Sequence, residues 1–177
     1  MESIQPYLTR KSGVINKLRA DWEDDRKNGN SDAGMITLTA SSSLAGVTGA
    51  RPTRVGDHFL ISDSKELFAG HGLGPTAPEI LLGALASCLV HTYIIQALLL
   101  EVPMDGVRLD VSAKLDMASV VGLGGPPPRM ENIVYCATVE SPASQEAVGW
   151  LHAAVEANCP VLNTLKMPGD VRRVEAI

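Results

Sequence analysis

The stretch TAPEILLGALASCLVHTYIIQALLLE, residues 76–101, is the longest apolar segment of this 177-residue chain. Thr76 is suited to cap a helix, Pro78 fits its first turn, and Glu79 places a negative charge at the positive end of the helix dipole. Residues 80–100 carry no full charge at neutral pH. We therefore predict a long central helix that is apolar nearly all round, and such a helix is buried on every side, in protein or in lipid.

Two surroundings are compatible with this helix. Residues 80–100 would span roughly 32 Å, which is enough to cross a bilayer. However, Ser87, His91, Thr92 and Gln96 interrupt the segment, and no cluster of Lys or Arg flanks it to set an orientation. We favour burial in protein over a membrane anchor. Because one small sheet covers only one face of a helix, we expect a second copy of the chain to cover the rest, in a homodimer.

Composition narrows the class of protein. The net charge of −5 and the isoelectric point near 5.3 argue against a nucleic-acid partner, since no basic patch is available. Three cysteines, an odd number, do not suggest a secreted disulfide scaffold. The first thirty residues are charged and have no apolar core of a signal peptide, so we expect a cytoplasmic protein.

The order of the remaining segments predicts an α+β fold. Residues 1–32 are expected to form an N-terminal helical extension, and residues 33–177 a single domain. Alternating or apolar runs predict strands at 35–40, 107–117, 131–140 and 172–177, and a strand or hairpin at 53–63 that turns at Gly56-Asp57. Residues 68–76 are rich in glycine and read as a loop. Ser141-Pro142 is expected to open one helix, and Cys159-Pro160 a short second helix that ends near Lys166.

The cysteines lie in three different contexts. Cys88 is in the middle of the apolar helix, where burial raises the pKa of a thiol and makes it inert. Cys159 precedes a proline that begins a helix, so we expect backbone N–H groups to point at its sulfur and favour the thiolate. Cys136 lies in a strand and is interpreted as structural. No CxxC motif is present, and His91 three residues after Cys88 is a poor zinc motif, so we expect no metal.

Two motifs together resemble a known superfamily. The runs GPTAPEILLGALASC, residues 74–88, and EANCPVLNTLK, residues 156–166, are similar to the cysteine motifs of the osmotically inducible protein C (OsmC) and organic hydroperoxide resistance (Ohr) superfamily. The resemblance covers roughly residues 33–177. It implies an OsmC-like α+β fold, in which a long buried helix packs on antiparallel sheets within an intertwined homodimer. It also implies a role in the oxidative stress response, through thiol-dependent reduction of organic, and secondarily inorganic, hydroperoxides.

The resemblance assigns roles to the two cysteines. Cys88 matches the peroxidatic cysteine, whose thiolate attacks the peroxide and becomes a sulfenic acid. Cys159 matches the resolving cysteine, which condenses with it to a disulfide. A dithiol reductant, a lipoyl-bearing protein in the family, would then restore both thiols, and no bound cofactor is implied.

Three more residues are candidates for the site. Glu79 matches the family's glutamate. It lies nine residues before Cys88, and along a straight helix this separation is half a rotation and about 14 Å. It would therefore act on the cysteine across a dimer interface, or only complete the start of the helix. Arg54, in preference to Arg51, is the candidate for the arginine that steadies the thiolate. His91 lies one turn beyond Cys88, so it is either a substrate-binding hydrogen-bond donor or a satisfied core residue.

The alternative hypothesis is a protein with the same fold but no catalytic turnover. A catalytically weak or inactive relative would keep the dimer and bind a small apolar or thiol ligand at the interface.

Overall fold

A computed structural model describes residues 3–175 of the chain. These residues form two compact units: residues 13–83 make one, and residues 3–12 with 84–175 make the other. Two helices, α1 (Gln5–Lys27) and α2 (Ala77–Leu99), each run from one unit into the other. The predicted α+β class is confirmed, with helices and antiparallel sheets in the same chain.

The unit of residues 13–83 contains a small antiparallel sheet. Its strands are β1 (Ala40–Ser42), β2 (Arg51–Val55) and β3 (His58–Ser62), with β2 in the centre. The predicted hairpin with its turn at Gly56-Asp57 is confirmed, because Val55 pairs with His58 on either side of that turn. Gly56 has a φ of 56°, the left-handed conformation that such a tight turn requires.

The glycine-rich loop before α2 is organised by one buried carboxylate. Asp63 accepts hydrogen bonds from the backbone N–H groups of Ser64, His71 and Leu73, at 2.7, 3.0 and 3.1 Å. These bonds, led by the one from Leu73, hold the pKa of Asp63 below its ordinary value. The loop also runs close to other backbone: a Cβ at Gly70 would lie 1.9 Å from the carbonyl oxygen of Ser64. Close backbone packing therefore requires glycine at position 70, in the loop that leads to the start of α2.

The predicted central helix is confirmed as α2, and its start has a capping box. The backbone N–H of Thr76 donates to Glu79 at 2.7 Å, and the N–H of Glu79 donates to the Thr76 hydroxyl at 3.4 Å. Among the described residues, α2 is the one helix long and apolar enough to cross a membrane, judged by length and composition alone. Only 28% of its most apolar 18-residue window is buried in the single chain. Complete burial of this helix would therefore need a further surface.

The second unit places the C-terminal part of α2 against a two-stranded sheet and two helices. The antiparallel sheet consists of β4 (Gly106–Leu115) and β5 (Met130–Glu140), and a short helix, α3 (Met117–Val120), begins the connection between them. Two further helices, α4 (Gln145–Asn158) and α5 (Pro160–Lys166), complete the unit. The core is formed by apolar side chains from α2, α4, α5 and the segment before β4: Leu85, Leu89, Tyr93, Ala97, Val102, Met104, Leu151, Val155, Cys159 and Leu162. Alternate residues of β4 and β5 pack on this cluster.

Three element predictions need correction. The strand predicted at 35–40 is absent, because the only strand there is β1, which begins at Ala40. The helix expected from Ser141 begins at Gln145, capped by the hydroxyl of Ser144. The closing strand predicted at 172–177 is wrong for residues 172–175, which have no regular structure, and residues 176–177 lie outside the described part.

A helix near the N-terminus is present, as the sequence predicted. Helix α1 covers Gln5–Lys27, and Leu8 is its buried residue. The turn at 28–29 follows, as expected from Asn28-Gly29-Asn30. The division of the chain at residue 33 stays a prediction.

Candidate active site

The two cysteines of the sequence motifs meet in the core of the second unit. The sulfur atoms of Cys88 and Cys159 lie 3.6 Å apart. Cys159 is fully buried, whereas Cys88 is partly exposed. A disulfide has a sulfur–sulfur distance of about 2.05 Å, so the two atoms are at non-bonded contact and a closure of about 1.5 Å would join them.

The junction of α4 and α5 brings Cys159 to this position. Helix α4 ends at Asn158, and Pro160 occupies the first position of α5, where its missing N–H costs no hydrogen bond. Cys159 lies between the two helices in an extended conformation. Its own N–H donates to Val155 and its carbonyl accepts from Asn163, both at 2.9 Å, so the bend is bonded on both sides.

The expected cap on Cys159 is not present. The side chain of Cys159 makes no hydrogen bond to the start of α5. Instead, the backbone N–H of Val161, the second residue of that helix, lowers the pKa of Cys88. The start of α5 therefore acts on the cysteine of α2. The bend directs the sulfur of Cys159 towards Cys88 and away from the start of α5.

Opposing effects act on the Cys88 thiol. Burial is the largest and raises its pKa above the ordinary value of 9.0, and the neighbouring Cys159 adds to the rise. The N–H of Val161 and the hydroxyl of Thr92 act in the opposite direction. Since burial dominates, the groups of this chain alone leave Cys88 mainly protonated at neutral pH.

His91 is exposed and does not belong to the core, which corrects one of its two predicted environments. Its Nε2 lies 2.9 Å from Nζ of Lys11, on helix α1. Partial burial and the positive charge of Lys11 lower the pKa of His91. Because a lysine ammonium carries only donors, Nε2 of His91 accepts in this bond.

Glu79 is engaged at the start of α2. Besides its two bonds to Thr76, its carboxylate pairs with Nζ of Lys65 at 2.8 Å. The bond from Lys65, followed by those from Thr76, lowers its pKa from 4.5 to about 2. These contacts are those expected if Glu79 completes the helix start, while its catalytic role stays a prediction.

The two candidate arginines also have local partners. Arg54 donates to the carbonyl of Gly56 at 2.9 Å, approaches Asp57 at 3.7 Å and lies over the ring of Phe59. Arg51 donates to the carbonyl of Gly49 at 3.1 Å. The proposed role of Arg54 beside the thiolate stays a prediction.

The third cysteine is separate from the pair. Cys136 is exposed on β5, on the face opposite to the alternate residues that pack on the core. Among the described residues, no group of three or more His, Cys, Asp or Glu side chains is placed to hold a metal ion.

Sequence reasoning missed a group of polar side chains close to the site. The phenol of Tyr135 donates to Glu156 at 2.9 Å, and Glu156 pairs with Lys166 at 3.5 Å. On α2, the hydroxyl of Tyr93 is hydrogen-bonded to Nδ1 of His152. Burial, then the charge of Glu156, raises the pKa of Tyr93 to about 12. The available signal was the alternation of β5, which places Tyr135 on the inward face, where a phenol needs a polar partner.

Fold and site together define an α+β protein in which a thiol on a long apolar helix contacts a second thiol at a helix junction. A family model described as OsmC-like protein matches residues 70–172, and the chain belongs to this family. The comparison with curated proteins found no match.

Solved structures have the same fold. The OsmC-like protein of Mycoplasma pneumoniae is 17% identical, with a TM-score of 0.64 over 76% of this chain and 90% of that one. An organic hydroperoxide resistance protein OsmC of Legionella pneumophila is 16% identical, with a TM-score of 0.59 over 76% and 92%. The organic hydroperoxide resistance protein OhrB of Bacillus subtilis is 15% identical, with a TM-score of 0.54 over 76% and 94%.

Proposed function

We propose that this chain is a cysteine-dependent peroxidase that reduces organic hydroperoxides, and secondarily inorganic ones, through a Cys88–Cys159 disulfide. The observation that carries the proposal is the 3.6 Å contact between the two sulfur atoms. Membership of the OsmC family supports it, as do the two fold relatives described as organic hydroperoxide resistance proteins.

In the proposed reaction Cys88 reacts first, with the peroxide, and Cys159 reacts second, with oxidised Cys88. The Cys88 thiolate attacks one peroxide oxygen, so that a sulfur–oxygen bond forms and the oxygen–oxygen bond breaks. The departing alkoxide takes a proton and leaves as the alcohol, with Cys88 oxidised to a sulfenic acid. The Cys159 sulfur then attacks the Cys88 sulfur, the hydroxyl leaves as water, and a disulfide remains. A dithiol, supplied by a lipoyl-bearing protein, returns the disulfide to two thiols.

The partly exposed sulfur is the better nucleophile of the pair on grounds of access. Cys88 is partly exposed in the single chain, whereas Cys159 is fully buried and contacts it. The N–H of Val161 lowers the pKa of Cys88 and would stabilise developing negative charge on its sulfur.

A homodimer completes the proposal. In α2, Leu81, Ala84 and His91 are exposed on the face that also carries Cys88. These residues recur at spacings of three and four, which makes one continuous stripe on the helix. A second copy covering this stripe would bury it and bring its own polar groups to Cys88, Glu79 and Arg54 among them. We place the dimer in the cytoplasm.

Two observations favour the alternative of a ligand-binding relative. Burial raises the pKa of Cys88, and Glu79 and Arg54 are paired with Lys65 and Asp57 instead of with a thiol. Such a protein would bind a small apolar or thiol compound beside Cys88 without consuming peroxide.

Thiol counting after oxidation decides between the two. Reduced protein is mixed with a small excess of cumene hydroperoxide, and free thiols and remaining peroxide are measured. We expect loss of two of the three thiols and consumption of one peroxide per chain. The Cys136→Ser variant is the matched control and should lose both of its thiols, whereas Cys88→Ser should lose none. Wild-type protein that retains all its thiols and leaves the peroxide intact would exclude the peroxidase.

A further inference from the structure

One carboxylate ties together three elements around Cys159. Glu156 lies on α4, three residues before the cysteine. Its Oε1 accepts the phenolic hydrogen of Tyr135 on β5, at 2.9 Å. Its Oε2 pairs with Nζ of Lys166, in the last turn of α5, at 3.5 Å. Glu156 therefore joins the strand beneath the bend to the helices on both sides of it.

The backbone of the bend is hydrogen-bonded on both sides, and Glu156 adds a link from outside the bend. Helix α5 has only seven residues, so its own hydrogen bonds hold it poorly. The Cys159 side chain makes no capping bond, and its contact with Cys88 is a weak one between sulfurs. A second link, from the amide of Asn163 to the carbonyl of Ala157 at 2.9 Å, spans the same bend.

The two contacts of Glu156 differ in strength. The side chains of Glu156 and Lys166 are each about half exposed, so their ion pair contributes little alone. The bond from Tyr135 is charge-assisted and comes from a side chain that packs on the core. Burial, and then this bond, raise the pKa of Tyr135, which keeps the phenol a donor.

We propose that Glu156 is a positioning residue that, with Tyr135, holds the α4–α5 bend so that the Cys159 sulfur stays against Cys88. The inference rests on the proposed function for its consequence in catalysis, because it makes the resolving step fast. It assigns no role to Glu156 in the attack on the peroxide.

The first test uses no peroxide. Reduced protein is equilibrated with mixtures of reduced and oxidised glutathione, where two protein thiols and one glutathione disulfide exchange for the protein disulfide and two glutathione thiols. The equilibrium constant reports the effective concentration of Cys159 at Cys88. We expect Glu156→Leu to lower it about tenfold, because a misplaced thiol loses the advantage of proximity. Glu146→Leu, an exposed position in the first turn of the same helix, is the matched control and should not change it.

The Tyr135→Phe variant keeps the test valid if Glu156→Leu folds poorly. It removes one hydroxyl and keeps the ring in the core, and it should lower the equilibrium constant in the same direction. In the double variant, Tyr135→Phe should add nothing to Glu156→Leu, since the two side chains act through one bond. Equilibrium constants of Glu156→Leu and Tyr135→Phe that both lie within about twofold of the control would overturn the proposal.

A second test separates the positioning role from the peroxidase. After a pulse of cumene hydroperoxide, dimedone traps the sulfenic acid of Cys88 and mass spectrometry follows both products. We expect Glu156→Leu to form the sulfenic acid at the rate of Glu146→Leu and to accumulate it, because disulfide formation is about tenfold slower. A wild-type protein inert to peroxide, with the glutathione equilibrium still shifted by Glu156→Leu, would refute the peroxidase and leave the positioning role standing. Normal turnover in Glu156→Leu, with no accumulated sulfenic acid, would refute the positioning role alone.

Discussion

At the scale of single residues, the state of Cys88 depends on a balance between burial and a few donors. Burial raises the pKa of the thiol, whereas the Val161 N–H and the Thr92 hydroxyl lower it. The Thr92 hydroxyl donates to the carbonyl of Cys88 at 2.8 Å, so it must turn away from that carbonyl to bond the sulfur. Each donor contributes only part of the solvation that the sulfur loses, so removing one should be measurable.

We expect Thr92→Val to raise the pKa of the Cys88 thiol. Valine keeps the shape of the buried threonine and removes the hydroxyl that favours the thiolate. The measurement is the rate of iodoacetamide labelling of Cys88 against pH, in a background of Cys136→Ser and Cys159→Ser. The labelling curve should move to higher pH.

Thr164→Val provides the control for this prediction. Thr164 makes the same kind of bond to a carbonyl four residues earlier, in α5, but contributes nothing to the pKa of Cys88. A labelling curve for Thr92→Val that coincides with that of Thr164→Val would contradict the assigned role of the hydroxyl.

The sequence predicted the pair of cysteines that the structure brings into contact, but not their surroundings. Cys88 and Cys159 were recognisable from their motifs, whereas Lys11 beside His91 and Tyr135 beside Glu156 were not. Each of these two contacts joins residues far apart in the chain, and no local spacing encodes such a pair.

At the scale of elements, the capping box at the start of α2 is a short-range feature. Thr76 and Glu79 are three residues apart and satisfy each other's backbone N–H groups. The pattern of threonine followed three residues later by glutamate predicts this geometry directly. It explains why the beginning of α2 was predicted to within one residue.

We expect Thr76→Ala to lower the free energy of unfolding by about 1 kcal/mol, because a cap hydroxyl is lost. Glu79→Gln should also destabilise the protein at pH 7. Because the pKa of Glu79 is lowered from 4.5 to about 2, its stabilisation is present above pH 4.5 and is lost as the pH falls towards 2. Urea unfolding of wild type and Glu79→Gln at several pH values measures the difference.

Lys65→Met separates the ion pair from the capping box. It should reproduce part of the Glu79→Gln effect, since it leaves the bonds to Thr76 intact. If the difference between wild type and Glu79→Gln stays constant from pH 7 down to pH 2, the ionised carboxylate is not the source of the stabilisation.

The strand predicted at residues 35–40 is absent because no neighbouring strand pairs with most of that segment. Residues 35–40 alternate as a strand does, but only Ala40 pairs with β2. Met35 and Leu38 remain 77% and 83% exposed in the single chain. Alternation indicates a half-buried surface, and it forms a strand only where a neighbouring edge accepts its hydrogen bonds.

At the scale of the whole molecule, exposed apolar surface is the main feature of the single chain. The most apolar part of α2 is largely unburied, and large apolar side chains on other segments are exposed as well. Surfaces of this kind, when contiguous, mark interfaces. The proposed homodimer accounts for the exposed stripe on α2.

We expect light scattering after gel filtration to give twice the chain mass of 18.7 kDa. Leu81→Glu should shift the protein towards the monomer, because it places a charge on the apolar stripe of α2. Val171→Glu, at a position that is 96% exposed beyond α5, is the control and should remain dimeric. A wild-type mass of one chain at micromolar concentration would contradict the homodimer.

The sequence by itself determined the central helix, the hairpin, the bend at Cys159-Pro160 and which two cysteines to pair. These features depend on interactions within a few residues, or on motifs that keep their local spacing. Only the tertiary structure decided that the Val161 N–H lowers the pKa of Cys88, that His91 bonds to Lys11, and that Glu156 ties β5 to α5. The physical reason is range: capping and periodicity act along the chain, whereas a thiol's solvation is set by whatever groups folding brings within a few ångströms of it.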